Sequence, residues 1–300
     1  MVRWILGILI LLCAILAPVS APAQKGSGAP HNNSLYRGLV GYWALDETSG
    51  NRQPTFAAGS VTMTDNNTVG FDAGKIGNSA LFVRANSEDF SIADNDLIST
   101  GGGSNTQFAI TAWMDFSQDL TGSVFMQLCG KNGAGSDFEF DVIAVEIAGT
   151  DQICIELNAT GGYQIACQNI PSFATGTFYF VYAYADGSNI GISINNQAAT
   201  TQAYTGNLRN GTTAFRVGSS NGSTHFHDGH IDVFAYWKSR VLAQSERDYL
   251  YRSGNGRSPL GADIWSWLIL LWIAPEIYRR FSRRRWGSPS CDSAILRAQR

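Results

Sequence analysis

The chain has 300 residues, 44% of them hydrophobic and only 15% charged, with 32 glycines and a net charge of −3. That length suits one large β domain or two smaller ones, and the composition excludes disordered and collagen-like classes. The charge is uneven: residues 24–258 carry 13 Lys and Arg against 21 Asp and Glu, whereas residues 279–300 carry seven Arg against Asp292 alone. An acidic body offers no surface to a phosphate backbone, so no nucleic-acid partner is expected.

In chain order, residues 1–23 have the layout of a secretory signal. Arg3 opens it, Ile5–Leu16 is apolar except for Gly7, and Ala21-Pro22-Ala23 sets small residues around a cleavage point. An uncleaved anchor or a buried helix is the alternative, but the run is short for a membrane span. Cys13 lies inside the run, after Leu12, and lacks the setting of a lipoprotein cysteine. Residues 24–34 read as a polar leader.

From Leu35 to Ser258, β-rich runs alternate with turn clusters such as Gly101–Asn105, Lys131–Gly135 and Ser219–Ser223. The clearest strand is Phe108–Phe116, where Phe108, Ile110, Ala112, Met114 and Phe116 fall on one face of a period-two pattern. Further strands are expected at Gly38–Leu45, Ala80–Val83, Phe90–Ile92, Val124–Leu128, Phe138–Ile147, Gln152–Asn158 and Tyr163–Asn169. The series continues through Thr177–Ala185, Asn189–Ile194, Ala214–Gly218 and His230–Trp237. With no helices between them, the expected fold class is all-β: a two-sheet antiparallel sandwich. One short helix is expected in Val241–Tyr251, where Leu242, Tyr249 and Leu250 have near-helical spacing and Gly254 follows.

Cys154 and Cys167 flank a hairpin turn at Ala159-Thr-Gly-Gly162. Pairing Asn158 with Tyr163 sets the two cysteines directly opposite, where an oxidising compartment allows a disulfide. Two unpaired buried thiols are the alternative. Cys129 is left over, and Cys291 lies in the tail.

Past residue 258, Ile264–Ala274 is an apolar run with three tryptophans, followed by Glu276 and by Arg279, Arg280, Arg283, Arg284 and Arg285. Extended over about residues 264–281 it approaches the length of a membrane span, and arginines after an apolar run mark a tail kept inside. A short membrane anchor, an in-plane interfacial helix and a helix docked on protein remain open here.

Several segments resemble one family. Gly38-Leu-Val-Gly-Tyr-Trp-Ala-Leu-Asp-Glu-Thr-Ser-Gly50 is similar to the opening of laminin-G-like jelly-roll domains of the concanavalin A-like lectin/glucanase superfamily. Gly74–Phe82 with Asp89–Ile92, the Phe108–Phe116 strand, and Asp228–Leu242 with Glu246, Leu250 and Tyr251 resemble its later signatures, in order. The resemblance implies a concanavalin A-like jelly roll. It departs at Phe178-Tyr179, where such domains usually carry Trp-His, a change expected to affect packing only. Trp43, Trp113 and Trp237 are expected between the sheets.

In the glucanase branch, carboxylates alternate along one strand, so Glu139 and Asp141 are candidates for acid/base chemistry. Their face continues to Ile143 and Val145, and Glu146 points away, so no catalytic set is complete and no enzyme is expected. Glu139 and Asp141 are instead expected to be solvated on an acidic face. The resemblance also implies that calcium is common, with Asp46 and Asp232 as candidate ligands, although capping and tying strand ends is the simpler role for both. The pentraxin-type calcium loop corresponds to Ser219–Thr224, which keeps only Asn221, with Asp228 further on, so that version of the site is expected to be absent. His225 and His227 would share a face of an extended segment near His230, an arrangement compatible with zinc or copper but unsupported by other ligands. Tyr163, Tyr204 and Trp237 are candidate sugar-stacking residues. The expected function is an exported, membrane-tethered module binding glycan or extracellular protein. An envelope assembly protein and a glycoside hydrolase are the alternatives.

Overall fold

The computed structural model describes residues 33–260, apart from residues 103, 104 and 123. The signal segment 1–23, nearly all of the leader, the apolar stretch 264–281, the arginine tail and Cys291 lie outside the described residues. Among the described residues no helix is long and apolar enough to cross a membrane.

Two antiparallel sheets form a jelly-roll sandwich. The strands are β1 (Leu39–Trp43), β2 (Phe56–Ala57), β3 (Thr64–Asn66), β4 (Gly70–Ala73), β5 (Asn78–Phe82), β6 (Asp89–Ile92), β7 (Phe108–Met114) and β8 (Met126–Lys131). They continue as β9 (Phe140–Ile147), β10 (Thr150–Ala159), β11 (Gly162–Asn169), β12 (Tyr179–Ala185), β13 (Asn189–Ile194), β14 (Thr200–Ala203), β15 (Phe215–Val217) and β16 (Gly229–Lys238). The nine-stranded sheet runs β14-β13-β12-β7-β16-β1-β2, with β5 also on β16 and β4 on β5; the seven-stranded sheet runs β11-β10-β9-β8-β15-β6-β3. β2, β3, β4 and β14 were not legible as strands, because they are short edge pieces with little burial to impose a pattern.

The faces of β7 explain how the layers are held. Phe108, Ile110, Ala112, Met114 and Phe116 enter the core between the sheets, as the alternation predicts. The other face is buried too, since Ala109 and Trp113 join a second apolar cluster with Leu39, Phe180, Tyr182, Trp237, Leu242 and Leu250. Two helices, α1 (Asn33–Tyr36) and α2 (Gln244–Tyr251), flank this outer face. Trp237 Nε1 donates to Leu35 O at 2.8 Å, and Tyr251 stacks on Trp113 with ring centroids 5.8 Å apart. Only Trp43, of the three tryptophans expected between the sheets, is there; Trp113 and Trp237 pack on the outer side, because neighbours along a strand face opposite ways. Tyr179, in the departure from the family pattern, is buried with its hydroxyl on Ser172 O and Ala174 N.

At one flank β11 and β14 lie side by side, and glutamines bridge the opening between the sheets. Gln202 Nε2 donates to Gln164 Oε1 at 3.2 Å, while Gln168 accepts from Ile194 N and donates to Ala198 O.

Candidate functional site

At one rim, Asp46 and Asp232 hold the loop between β4 and β5. Asp232 Oδ2 accepts from Ile76 N at 2.8 Å, and Asp46 Oδ1 accepts from Asn78 N at 2.8 Å. A bulge in β16, with Val233 at φ 52°, sets Asp232 against that loop. Burial pushes the Asp232 carboxyl up to about 7, and Asp46 adds to the rise. Its Oδ1 is buried without a hydrogen-bond partner. Two carboxylates with one unused oxygen against this loop are hard donors of the type calcium takes, and both already accept from backbone N–H groups. Among the described residues no three His, Cys, Asp or Glu side chains converge as a metal cage.

The three histidines do not form a unit. His225 has φ 54°, so the segment is not extended there, and its ring lies 4.9 Å from Phe125. His227 turns inward, fully buried between Phe82 and Phe116, and burial pushes it down to about 4. His230 Nδ1 pairs with Asp115 at 2.9 Å, and that bond raises its pKa. The shared face expected for His225 and His227 is absent because the turn between them reverses one side chain into the core. In the neighbouring loop Asn221 accepts from Ser223 and Thr224, and Asp228 accepts from Arg84 N.

The outer face of the seven-stranded sheet carries the richest chemistry. Hairpin β10–β11 has the register expected: Asn158 pairs with Tyr163, Cys154 pairs with Cys167, and the disulfide is formed. Glu139 and Asp141 are buried, however, not solvated. Glu139 pairs with Lys131 at 2.9 Å and accepts from Thr100 and Gly211, so loops from both sides close over it. Asp141 accepts from Asn132 at 2.5 Å and Ser220 at 3.3 Å. Burial pushes its carboxyl up to about 8, with neighbouring Glu156 adding and the Asn132, Gln127 and Ser220 side chains opposing.

Glu156 faces Asp141 across β9 and β10. Burial raises its pKa, and a bond from the Tyr163 hydroxyl opposes that rise. Tyr163 itself is 49% exposed, with Phe138 6.0 Å away ring to ring. Of the other stacking candidates, Tyr204 is buried with its hydroxyl on Thr106 O, and Trp237 is fully buried. The sequence reading missed Glu156, although the hairpin register that pairs Asn158 with Tyr163 already places Glu156 and Tyr163 on one face. Gln127, Asn132 and Ser220 carried no signal, because only the fold brings β8, the loop after it and residue 220 together.

The sandwich and its outer faces define a laminin-G-like jelly roll. The chain belongs to the Laminin_G_3 family of the concanavalin A-like lectin/glucanases superfamily, whose pattern matches residues 84–246, more than half of its length. The signatures at residues 38–50 and 74–82 precede that span and supply β1 and β5. Among solved structures the chain is similar to the binding domain of Paraclostridial Mosquitocidal Protein 1, at 11% identity and TM-score 0.57, over 73% of this chain and 53% of that one. It is similar to the receptor binding domain of botulinum neurotoxin C/D mosaic serotype, at 12% identity and TM-score 0.52, over 75% and 52%. Trypanosoma rangeli sialidase matches at 13% identity and TM-score 0.51, over 85% of this chain and 39% of that one. At such identities the likeness is one of fold, and the chain spans about half the length of the toxin domains it matches. No curated protein matches it in sequence.

Proposed function

We infer that the chain is an exported carbohydrate-binding module whose ligand lies on the outer face of the seven-stranded sheet. The observation that carries this reading is the Tyr163 ring, 49% exposed on a strand and diagonal to Glu156 across the β10–β11 pair. A sugar ring has an apolar C–H face that stacks on an aromatic and a hydroxyl edge that bonds to carboxylates and amides. Glu156 and Asn158 supply such groups beside the ring. Glu139, spent on Lys131, is no free acid or base, which supports binding over catalysis.

A glycan array probed with the exported chain tests the reading. Binding to a defined set of sugars, lost in Tyr163→Ala with the fold intact, is the expected outcome. A chain that ignores the array but self-associates through exposed Ile147 and Ile165 supports the assembly role instead.

The Cys154–Cys167 bond supports export, since disulfides persist in oxidising compartments. The apolar stretch 264–281 and the arginines after it support a membrane tether. Retention of the full chain in membranes through a carbonate wash is the expected result, and release counts against a spanning anchor. Asp46 and Asp232 support a structural calcium ion that fastens the β4–β5 loop, with no part in chemistry.

A further inference from the structure

One row of residues crosses the outer face of the seven-stranded sheet. Gly130 on β8 faces Asp141 on β9, Asp141 faces Glu156 on β10, and Glu156 faces Ile165 on β11. Two carboxylates therefore stand directly opposite each other, a placement in which like charges repel. Three other covered acids are matched by bases: Glu139 by Lys131, Asp89 by Arg216 and Glu246 by Arg240. Among the described residues no Lys, Arg or His forms an ion pair with Asp141 or Glu156.

Their surroundings add unused acceptors. Asp141 is 1% exposed, and its Oδ1 has no hydrogen-bond partner; nor has Oε1 of Gln127, which is fully buried. Gly130 makes the space they occupy: a Cβ there would stand 1.8 Å from Asp141 Oδ1 and 2.8 Å from Gln127 Nε2. The floor of the row thus keeps two unused acceptor oxygens with no base beside them. At its open end Glu156 is half-buried, with Tyr163 49% and Ile165 40% exposed beside it.

We propose that this row recognises a protonated amino group carried on a sugar ring, with Glu156 receiving the ammonium, Asp141 behind it, and Tyr163 under the ring. The proposal rests on the carbohydrate reading above and names the ligand class for that site. An ammonium brings a positive charge to a place lacking one, and its bond to a carboxylate is of the charge-assisted kind. Tyr163 adds an aromatic face, which attracts cations. An acetamido group brings one N–H and no charge, and a sugar acid sets a negative charge against Glu156, so both are disfavoured. A bare calcium ion demands six or more oxygens and leaves Tyr163 and Ile165 without a role.

The test is calorimetric titration of the full chain with a glucosamine tetrasaccharide and with its fully N-acetylated counterpart, at neutral pH and low salt. The amine form is expected to bind at least about tenfold more tightly, a typical effect of a close charge pair. Glu156→Gln should bring the two ligands to within about twofold, because the charge but not the shape is lost. Ile165→Lys, which sets a fixed ammonium opposite Glu156 from an exposed position, should abolish the preference without unfolding the chain. Equal affinities in the native protein, or a preference that survives Glu156→Gln, overturn the proposal. Binding of the acetylated form alone, lost in Tyr163→Ala, overturns it while keeping the carbohydrate reading. Binding of neither sugar, with calcium bound and then lost in Glu156→Gln, replaces the ammonium with a metal.

Discussion

Lys131 Nζ lies 2.9 Å from Glu139 Oε1, with both side chains fully buried. Around them Asp94, Ser99, Thr100 and Gly211 close a bonded cluster that ties two loops to the end of β8. The acid that looked most like a catalyst is therefore a clasp.

Removing one partner leaves the other charge buried and unmatched. Lys131→Met should lower the unfolding free energy by about 3–5 kcal/mol. Replacing both residues with apolar ones should recover part of the loss. Urea unfolding of the two variants measures the difference, and a loss no larger in the single variant than in the double one contradicts the clasp.

The Cys154–Cys167 bond closes a short loop, with a sequence separation of 13. The chain-entropy account gives about 3 kcal/mol for a loop of this size. Native protein with reductant, and the Cys154→Ala/Cys167→Val variant without it, should show similar lowered midpoints. The free thiol of Cys129, buried and pushed up in pKa by that burial, should stay unreactive in folded protein. Thiol labelling before and after unfolding checks this.

The sandwich was legible because Phe108–Phe116 alternates cleanly and because the signature segments occur in order. The disulfide was legible from hairpin register alone. What failed was burial on the second face. Trp113 and Trp237 look like inter-sheet residues until α1 and α2 are seen to cover the outer side of their sheet. Asp141 looks solvated until Asn132 and Ser220 close over it, and their contact spans separations of 9 and 79 residues that no local pattern encodes. His227 failed for the converse reason: a local turn reverses it into the core.

His227 makes acid the vulnerable side. Burial lowers its folded pKa from 6.5 to about 4, so between those values the unfolded chain binds the extra proton. Stability from this group is full above pH 6.5 and is lost as pH falls toward 4, by on the order of 3 kcal/mol. His227→Phe, between Phe82 and Phe116, should flatten that part of the stability–pH curve. An unchanged slope in thermal unfolding from pH 7 to 4 refutes the assignment.

Calcium should raise the melting temperature if Asp46 and Asp232 hold it, since a ligand bound only to the folded state stabilises it. The rise should vanish in Asp232→Asn, which keeps the bond from Ile76 N but loses the charge. A chelator should lower the melting temperature of native protein only. An equal calcium response in both proteins places the ion elsewhere.

The glutamine rungs between β11 and β14 bear on life at high surface density. Bare strand edges invite a neighbour to add its own strand. Gln164, Gln168 and Gln202 span the mouth between the two sheets, and β2 and β3 at the opposite sheet ends have only two and three residues. The β2 and β3 ends give an incoming segment no long ladder to copy. If the proposed export and tether place these domains side by side, this would keep each tyrosine-bearing face free of its neighbours.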